Sequence, residues 1–454
     1  MNETRTLAHY AHTLKLADVP RAAVDKAIDL LIDQIGIQIA CATLPWSKNI
    51  TRMVESLGGD NHSTVAYYGF RTSPDNAAFL NSSYGHGFEM DDTHLRVVNH
   101  PGCLAIPTTM AIAEQHRLSG RDMLEAMVIS LELICRVSAV TGTLLLRRGH
   151  NTHPPGAPFG IAAACARLLG LSEEGVLNAM GIAGSHSAAG LREYNQTGGT
   201  LKRLHGGIPA QAGVRSALLA QFGISGPPTI LEGKYGFCKV MCDQTELGPM
   251  MEQLGDKYIF TEVAFKQFCT VYFIQPPLEA SCRIIERHKP DFRDIQEIVV
   301  GMSQEGVLHA GTIVEPRDVG SAQFSTAFSI ALRFVKGGNS FNDYVDENLK
   351  DPDVLALAHK VKPVVNDEAE RAYPKEWHGD VTVTMKDGTK YHEHVNAIRG
   401  TLQHPMSRED LKNKFRSLVV GRLSNSHCEL LLERLENVEL LPDVAQITNL
   451  LGAR

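Results

Sequence analysis

Apolar residues recur at helical spacing through most of the chain. Val24, Ala27, Ile28, Leu31, Ile32, Ile35 and Ile39 fall on one face of a helix from Ala22 to about Ile39, with a shorter helix ahead of it. Leu57-Gly-Gly-Asp60 breaks the next helix, and the pattern then predicts one over 75–90. Long apolar helical segments follow over 104–117 and 120–146, the second opened by Ser119-Gly-Arg-Asp and closed by Arg147-Arg148-Gly149. The Pro/Gly-interrupted stretch 149–156 reads as a loop leading into a small-residue helix that favours close packing, and further helices are expected over 172–182 and 208–222. The null expectation for His186, inside the small-residue run 184–190, is a core histidine.

The period changes near Thr261. Alternation typical of strands appears over 296–302 and again on both sides of Asp387-Gly388, a hairpin turn, with helices over 325–335 and 353–358 between them. From Ser407 the pattern is helical again. The expected fold is mainly α: a large all-helical domain over 1–265, a smaller α+β domain over 266–400, and a helical tail over 401–454 that returns to the first domain, so that both chain ends build it.

Composition adds limits. The chain has 454 residues, 43% of them hydrophobic and 21% charged, enough for two globular domains. The formal net charge of −7 and the lack of any Lys/Arg-rich run argue against a nucleic-acid partner. No apolar run is long enough to cross a bilayer, and Met-Asn-Glu-Thr-Arg at the start lacks the regions of a signal peptide; the expectation is a cytoplasmic protein with no membrane partner. Nine scattered cysteines fit reduced core thiols, and Cys238 with Cys242 has no second pair at zinc-ligand spacing.

Candidate chemistry concentrates in the stretch from Tyr84 to Pro107, which holds three histidines, three carboxylates, an arginine and a threonine. If the preceding helix runs this far, Glu89, Asp92 and Thr93 share one face at its C-terminal end. Acidic groups there oppose the helix dipole and repel one another, so stability alone would not select them. The plain alternative is an exposed helix end with Asp92 or Thr93 as a cap. His100-Pro101-Gly102 then turns the chain and fixes an imidazole near those carboxylates.

A second polar site is Gly198-Gly-Thr-Leu-Lys-Arg-Leu-His-Gly-Gly207, where Lys202, Arg203 and His205 sit between glycines ahead of a helix. Such a loop suits an anion, although a solvated basic turn has the same composition. Lys266, the single charge in the apolar run 265–277, reads either as a buried lysine or as one that snorkels to the surface, and the sequence alone leans to the second.

These stretches resemble the MmgE/PrpD family, which includes 2-methylcitrate dehydratase, cis-aconitate decarboxylase and iminodisuccinate epimerase. The resemblance is carried, in the family's order, by Gly87-Phe-Glu-Met-Asp-Asp-Thr-His with His100-Pro-Gly, His153-Pro-Pro, Asn178-Ala-Met-Gly-Ile-Ala-Gly-Ser, Lys202-Arg-Leu-His-Gly-Gly, Phe265-Lys-Gln-Phe and Ala322-Gln-Phe-Ser. It implies a helical domain with an inserted α+β lid, a homodimer, an active site between the domains, a small anionic carboxylate substrate, and no metal or organic cofactor. The catalytic residues it implies are Glu89, Thr93, His100, His153, Lys202 and Lys266. Asp92, Arg203, His205, Gln275 and Phe328 are expected to contact substrate. Two positions depart from the family: Phe328 replaces a common tyrosine and Gln275 a common histidine, each removing a proton donor.

The implied reaction removes a proton beside a carboxylate, then expels water or carbon dioxide. Lys202, Lys266 and Arg203 would hold the carboxylates, His100 would act as base and His153 as acid. Dehydration is expected ahead of decarboxylation because Phe328 lacks the phenol. Epimerisation of an amino-dicarboxylate such as iminodisuccinate, a metal-dependent hydrolase using Glu89, Asp91, Asp92, His94 and His100, and a non-catalytic binding protein are the alternatives.

Overall fold

A computed structural model describes residues 2–187, 190–194 and 199–452. The chain divides into two compact units, one of Met1–Gly87, Asp91–Val263 and Ser407–Arg454, the other of Phe88–Met90 and Ala264–Met406. The fold is mainly α, with strands confined to small sheets among the described residues.

In the first unit, α1 (Glu3–Thr13) leads into α2 (Arg21–Cys41), which is buried around its whole circumference from Leu30 to Cys41. A helix covered on every side is a core helix, and its neighbours account for the covering. After α3 (Pro45–Leu57), α2 packs against α4 (Pro74–Gly85), α5 (Gly102–Gln115) and α6 (Gly120–Arg147), and against the C-terminal helices Arg408–Val419 and Asn425–Glu436. Two ion pairs fix the returning tail: buried Asp33 lies 2.7 Å from Lys414 Nζ, and Asp29 accepts from Arg408 Nε at 2.7 Å. Both ends of the chain therefore build this unit.

Helix α6 opens with a capping box between Ser119 and Asp122 and lies along α7 (His153–Leu168). The small residues of α7 allow that approach. A Cβ on Gly160 would stand 2.8 Å from the Ile134 backbone nitrogen. Helices α8 (Glu173–His186) and α9 (Gly207–Gln221) complete the layer around α7.

The second unit holds a four-stranded sheet of β1 (Ile295–Met302), β2 (Val361–Val365), β3 (Gly379–Met385) and β4 (Lys390–Val395), in the order β2-β1-β3-β4. β1 pairs with β2 in parallel and with β3 antiparallel, and β3 with β4 form the hairpin around Gly388, whose φ is +88°. Strict alternation of burial along β3 puts Val381 and Val383 inward, and the helix Gln275–His288 packs on β3 and β4.

Several expectations need correction. Helix α4 stops at Gly85 rather than reaching Met90: His86 caps it, the chain turns through Gly87, and Glu89 adopts a left-handed φ of +57°. Glu89, Asp92 and Thr93 thus share no helix face. Strand β2 was not anticipated, because it is an edge strand with Pro363 at its centre and an irregular burial pattern. The stretch expected as a loop up to Gly156 is already helix from His153, since prolines fit a helix's first turn, where no amide partner is needed. His186 is half-buried at the end of α8 and bonds Ser216 Oγ at 3.1 Å, so it is not a core histidine. The unit boundaries fall after Val263 and Met406, a few residues from those expected, and Phe88–Met90 belongs to the second unit.

The Gly160→Ala variant separates two effects of opposite sign. Helix propensity alone would raise stability by about 1 kcal/mol, whereas the clash with α6 should lower it by roughly 1–3 kcal/mol. Calorimetry should show a lower unfolding midpoint; a higher one would contradict the close packing of α6 on α7.

Candidate active site

The turn after α4 and the start of α7 bring four imidazoles of the first unit together. The His86 ring lies 4.7 Å from His153 and 5.1 Å from His100, His100 lies 5.3 Å from His153, and His205 lies 6.5 Å from His153, centre to centre. Asp91 joins them. Its Oδ2 is 2.7 Å from His86 Nδ1 and 3.2 Å from His100 Nδ1. Burial alone would push this carboxyl up, but the two imidazoles outweigh it and hold Asp91 well below the usual carboxylate range.

Those bonds fix the tautomers. His100 Nδ1 also meets the Asp92 carbonyl oxygen at 2.8 Å, and a carbonyl can only accept, so Nδ1 carries the proton and Nε2 keeps its lone pair. The same reasoning at the Asp91 carboxylate makes His86 Nδ1 the donor. Thr93 Oγ1 lies 3.3 Å from His100 Nδ1. His86 Nε2 and both ring nitrogens of His153 are buried with no hydrogen-bond partner among the described residues.

Burial holds His86 down to about 4 against the opposing pull of Asp91, and Lys202 and His100 lower it further. His205 is likewise held at about 4, by burial first and then by His86 and Lys202. Its Nδ1 lies 3.0 Å from Asn151 Nδ2. His153 is pushed well below its ordinary value by burial and then by His86, His100 and His205. Burial therefore favours the neutral form of His86, His153 and His205 around one ionised carboxylate.

Asp92 takes a different part from the neighbouring Asp91. Its Oδ2 accepts from the Gly102 backbone N–H at 2.9 Å at the start of α5, and its Oδ1 from Gln34 Nε2 at 3.2 Å. Burial, then the charge of Asp91, pushes it up to about 6. Asp92 is therefore not the cap of an exposed helix end: it is buried, and it bonds the first amide of the following helix. Lys202 lies on the one-turn 3₁₀ segment Thr200–Leu204, and the neighbouring Arg203 is buried with its guanidinium 5.3 Å from the centre of the Trp46 ring. Gly198, the first residue of that basic loop, lies outside the described residues.

The remaining expected site residues belong to the second unit. Lys266 is buried, not snorkelling, with Nζ 3.5 Å from Glu89 Oε2. Gln275 spends its amide on the preceding loop: Nε2 donates to the Phe268 and Thr270 carbonyls at 2.8 and 3.2 Å, and Oε1 accepts from the Phe268 N–H at 3.2 Å. Phe328 is fully buried on the helix Thr326–Lys336, its ring 6.3 Å from that of Tyr344.

Metal ligation through the polar stretch fits poorly. His94 Nε2 is used by the Ile259 carbonyl at 3.0 Å, and Asp92 is used as a cap. His86, Asp91 and Cys103 do offer ligand atoms within 4.8 Å of one another. However, the His86–Asp91 hydrogen bond joins two of those groups directly, and burial with the charges of Asp91 and Asp92 pushes the Cys103 thiol well above its ordinary value. The set is built to hold protons. Two of its central members, His86 and Asp91, were missing from the expected site; their separation by five residues around Gly87 was the available signal.

The first unit thus belongs to a class of mainly helical protein with a buried histidine–aspartate acid–base cluster. The chain belongs to the MmgE/PrpD family: the MmgE/PrpD N-terminal domain matches residues 5–250 and the MmgE/PrpD C-terminal domain residues 268–440. It is similar to the cis-aconitate decarboxylase of Aspergillus terreus, at 28% identity over 99% of this chain and 96% of that protein. It is also similar to the cis-aconitate decarboxylase of Homo sapiens, at 26% identity over 99% and 93%, and to the 2-methylcitrate dehydratase of Cupriavidus necator, at 24% over 88% and 86%.

A pH test follows from the depressed imidazoles. Because their folded values of about 4 lie below the ordinary 6.5, the stability from keeping His86 and His205 neutral is complete above 6.5 and lost as pH falls through 4. Asp92, raised to about 6, opposes this: its contribution is complete below 3.8 and lost as pH rises through 6. The two histidines outnumber it, so the midpoint of unfolding should fall between about pH 7 and pH 4.5, and by less in His205→Asn. An equal fall in that variant would contradict a buried neutral His205.

Proposed function

We propose that the protein is a lyase acting on a small tri- or dicarboxylate, moving a proton at a carbon beside a carboxylate as water or carbon dioxide is lost. The observation that carries this reading is His153: a buried imidazole with both nitrogens unbonded costs stability, and such a group is kept where a substrate completes its bonding. The similarity to proteins named as decarboxylases and dehydratases of such acids supports it.

Removing a proton beside a carboxylate concentrates negative charge on an anionic group. Lys202 and Arg203 offset that charge, and a low-dielectric setting makes each worth more than in water. His100 takes the proton on Nε2, the Asp92 carbonyl at Nδ1 holds the ring in the right tautomer, and Asp91 3.2 Å away stabilises the imidazolium that forms. His153 is neutral when empty, so it acts first as an N–H donor to the substrate. Binding of an anion raises its proton affinity, which suits it to protonate a leaving hydroxyl. Lys266 and Glu89 are proposed as a further substrate-holding pair, and Thr93 as a support for His100.

Two observations pull the finer choice in opposite directions. The 28% and 26% identical relatives are named decarboxylases, which favours loss of carbon dioxide. Phe328 offers no phenol, which favours dehydration.

Incubation with cis-aconitate in deuterated water should release carbon dioxide and leave deuterium on the carbon that is reprotonated, whereas 2-methylcitrate should lose water to give an alkene without solvent deuterium. Exchange without loss of mass would point to epimerisation, and no turnover of any small polyacid to a binding protein; either result overturns the lyase reading. The variants His100→Ala and His153→Leu should lower kcat/KM by roughly 10²–10⁴-fold. His153→Leu should also leave the unfolding midpoint unchanged or higher, since it removes an unpaired buried polar group. Near-normal activity in either variant would remove that residue from the mechanism.

A further inference from the structure

A second cluster of titratable groups lies in the second unit, among residues that the proposed reaction does not use. Glu368 sits in the first turn of the short helix Asp367–Ala372, His378 just ahead of β3, and His394 on β4. One ligand atom from each lies within 4.8 Å of the other two.

The hydrogen bonding around the two rings selects which nitrogen each one offers. His378 Nε2 is paired with Glu376 at 2.9 Å, leaving Nδ1, which is buried and has no hydrogen-bond partner. The His378 side chain as a whole is only 7% exposed, so water does not serve that nitrogen freely. His394 Nδ1 faces Asp380 Oδ2 at 3.6 Å, leaving Nε2, which is also buried without a hydrogen bond and lies 3.7 Å from Glu368 Oε1. Asp380 is held in turn by His392 Nε2 at 2.8 Å. A carboxylate on the far nitrogen of a ring, as Glu376 is for His378, is how proteins orient imidazoles toward a metal; Asp380 stands near the far nitrogen of His394 but beyond hydrogen-bond distance.

We propose that Glu368, His378 and His394 bind one divalent transition-metal ion of the Zn²⁺ type, tying the helix Asp367–Ala372 to the β3–β4 hairpin. Two imidazoles and a carboxylate are borderline ligands that favour such ions over Mg²⁺ or Ca²⁺, and three protein ligands leave a fourth position for water. The two rings stand nearly perpendicular, at 86° with centres 5.2 Å apart, so they do not stack across the space between them. This site is separate from the proposed lyase chemistry and does not depend on it.

The test uses the full-length protein after treatment with a chelator. Titration with ZnCl₂ should show one saturable equivalent per chain and a higher unfolding midpoint, and Co²⁺ should give the visible absorption bands of a low-coordinate site. Glu368→Gln changes only a largely exposed side chain and should fold normally while weakening Zn²⁺ by about tenfold or more; His378→Gln with His394→Gln should abolish it. Absence of a saturable equivalent, or binding unchanged in the double variant, would overturn the site.

Discussion

A single buried carboxylate, that of Asp91, organises the chemistry of the first unit. An ionised group out of water is costly unless it is paired, and here the His86 N–H at 2.7 Å provides the hydrogen bond, with His100 Nδ1 beside it at 3.2 Å. The consequence reaches beyond charge. His86 gives its Nδ1 hydrogen to that centre and His100 gives its own to the Asp92 carbonyl at 2.8 Å, so Nε2 is the position each ring has left for chemistry. The adjacent Asp92 has a similar side chain and a different fate, bound to the start of α5 and pushed up to about 6. Two neighbouring aspartates driven apart in proton affinity are a common mark of an acid–base site.

The scaffold explains how that arrangement is held. α2 forms a core covered on all sides, and the returning C-terminal helices lock onto it through Asp29 and Asp33. Against it stand α4, which delivers His86 at its end, and α5, whose first amide is bound by Asp92. The close approach of α7 to α6 at Gly160 fixes the helix that begins with His153. Buried neutral histidines cost stability, and a tightly packed helical core tolerates that cost.

Much of this was legible in the sequence because helical periodicity is a local signal. The long runs of α2 and α6, the Ser119 cap and the hairpin at Gly388 all follow from residue spacing alone. What escaped was non-local. The end of α4 depends on a left-handed Glu89, and the roles of Asp91 and Asp92 depend on partners from other segments. Lys266 is buried where its setting allowed a surface position, because its partner Glu89 lies 177 residues away in sequence. Gln275 and Phe328 were reached through family likeness; their own surroundings are a loop clamp and a packed helix.

The central claim is that Asp91 sets the tautomer of His86, as the Asp92 carbonyl sets that of His100. Nitrogen NMR of histidine-labelled full-length protein at neutral pH tests it most directly. The account predicts a proton on Nδ1 of both rings, and loss of that preference at His86 in Asp91→Asn. A proton on Nε2 rather than Nδ1 of His86 in the unaltered protein, or a spectrum unchanged by the substitution, would contradict it.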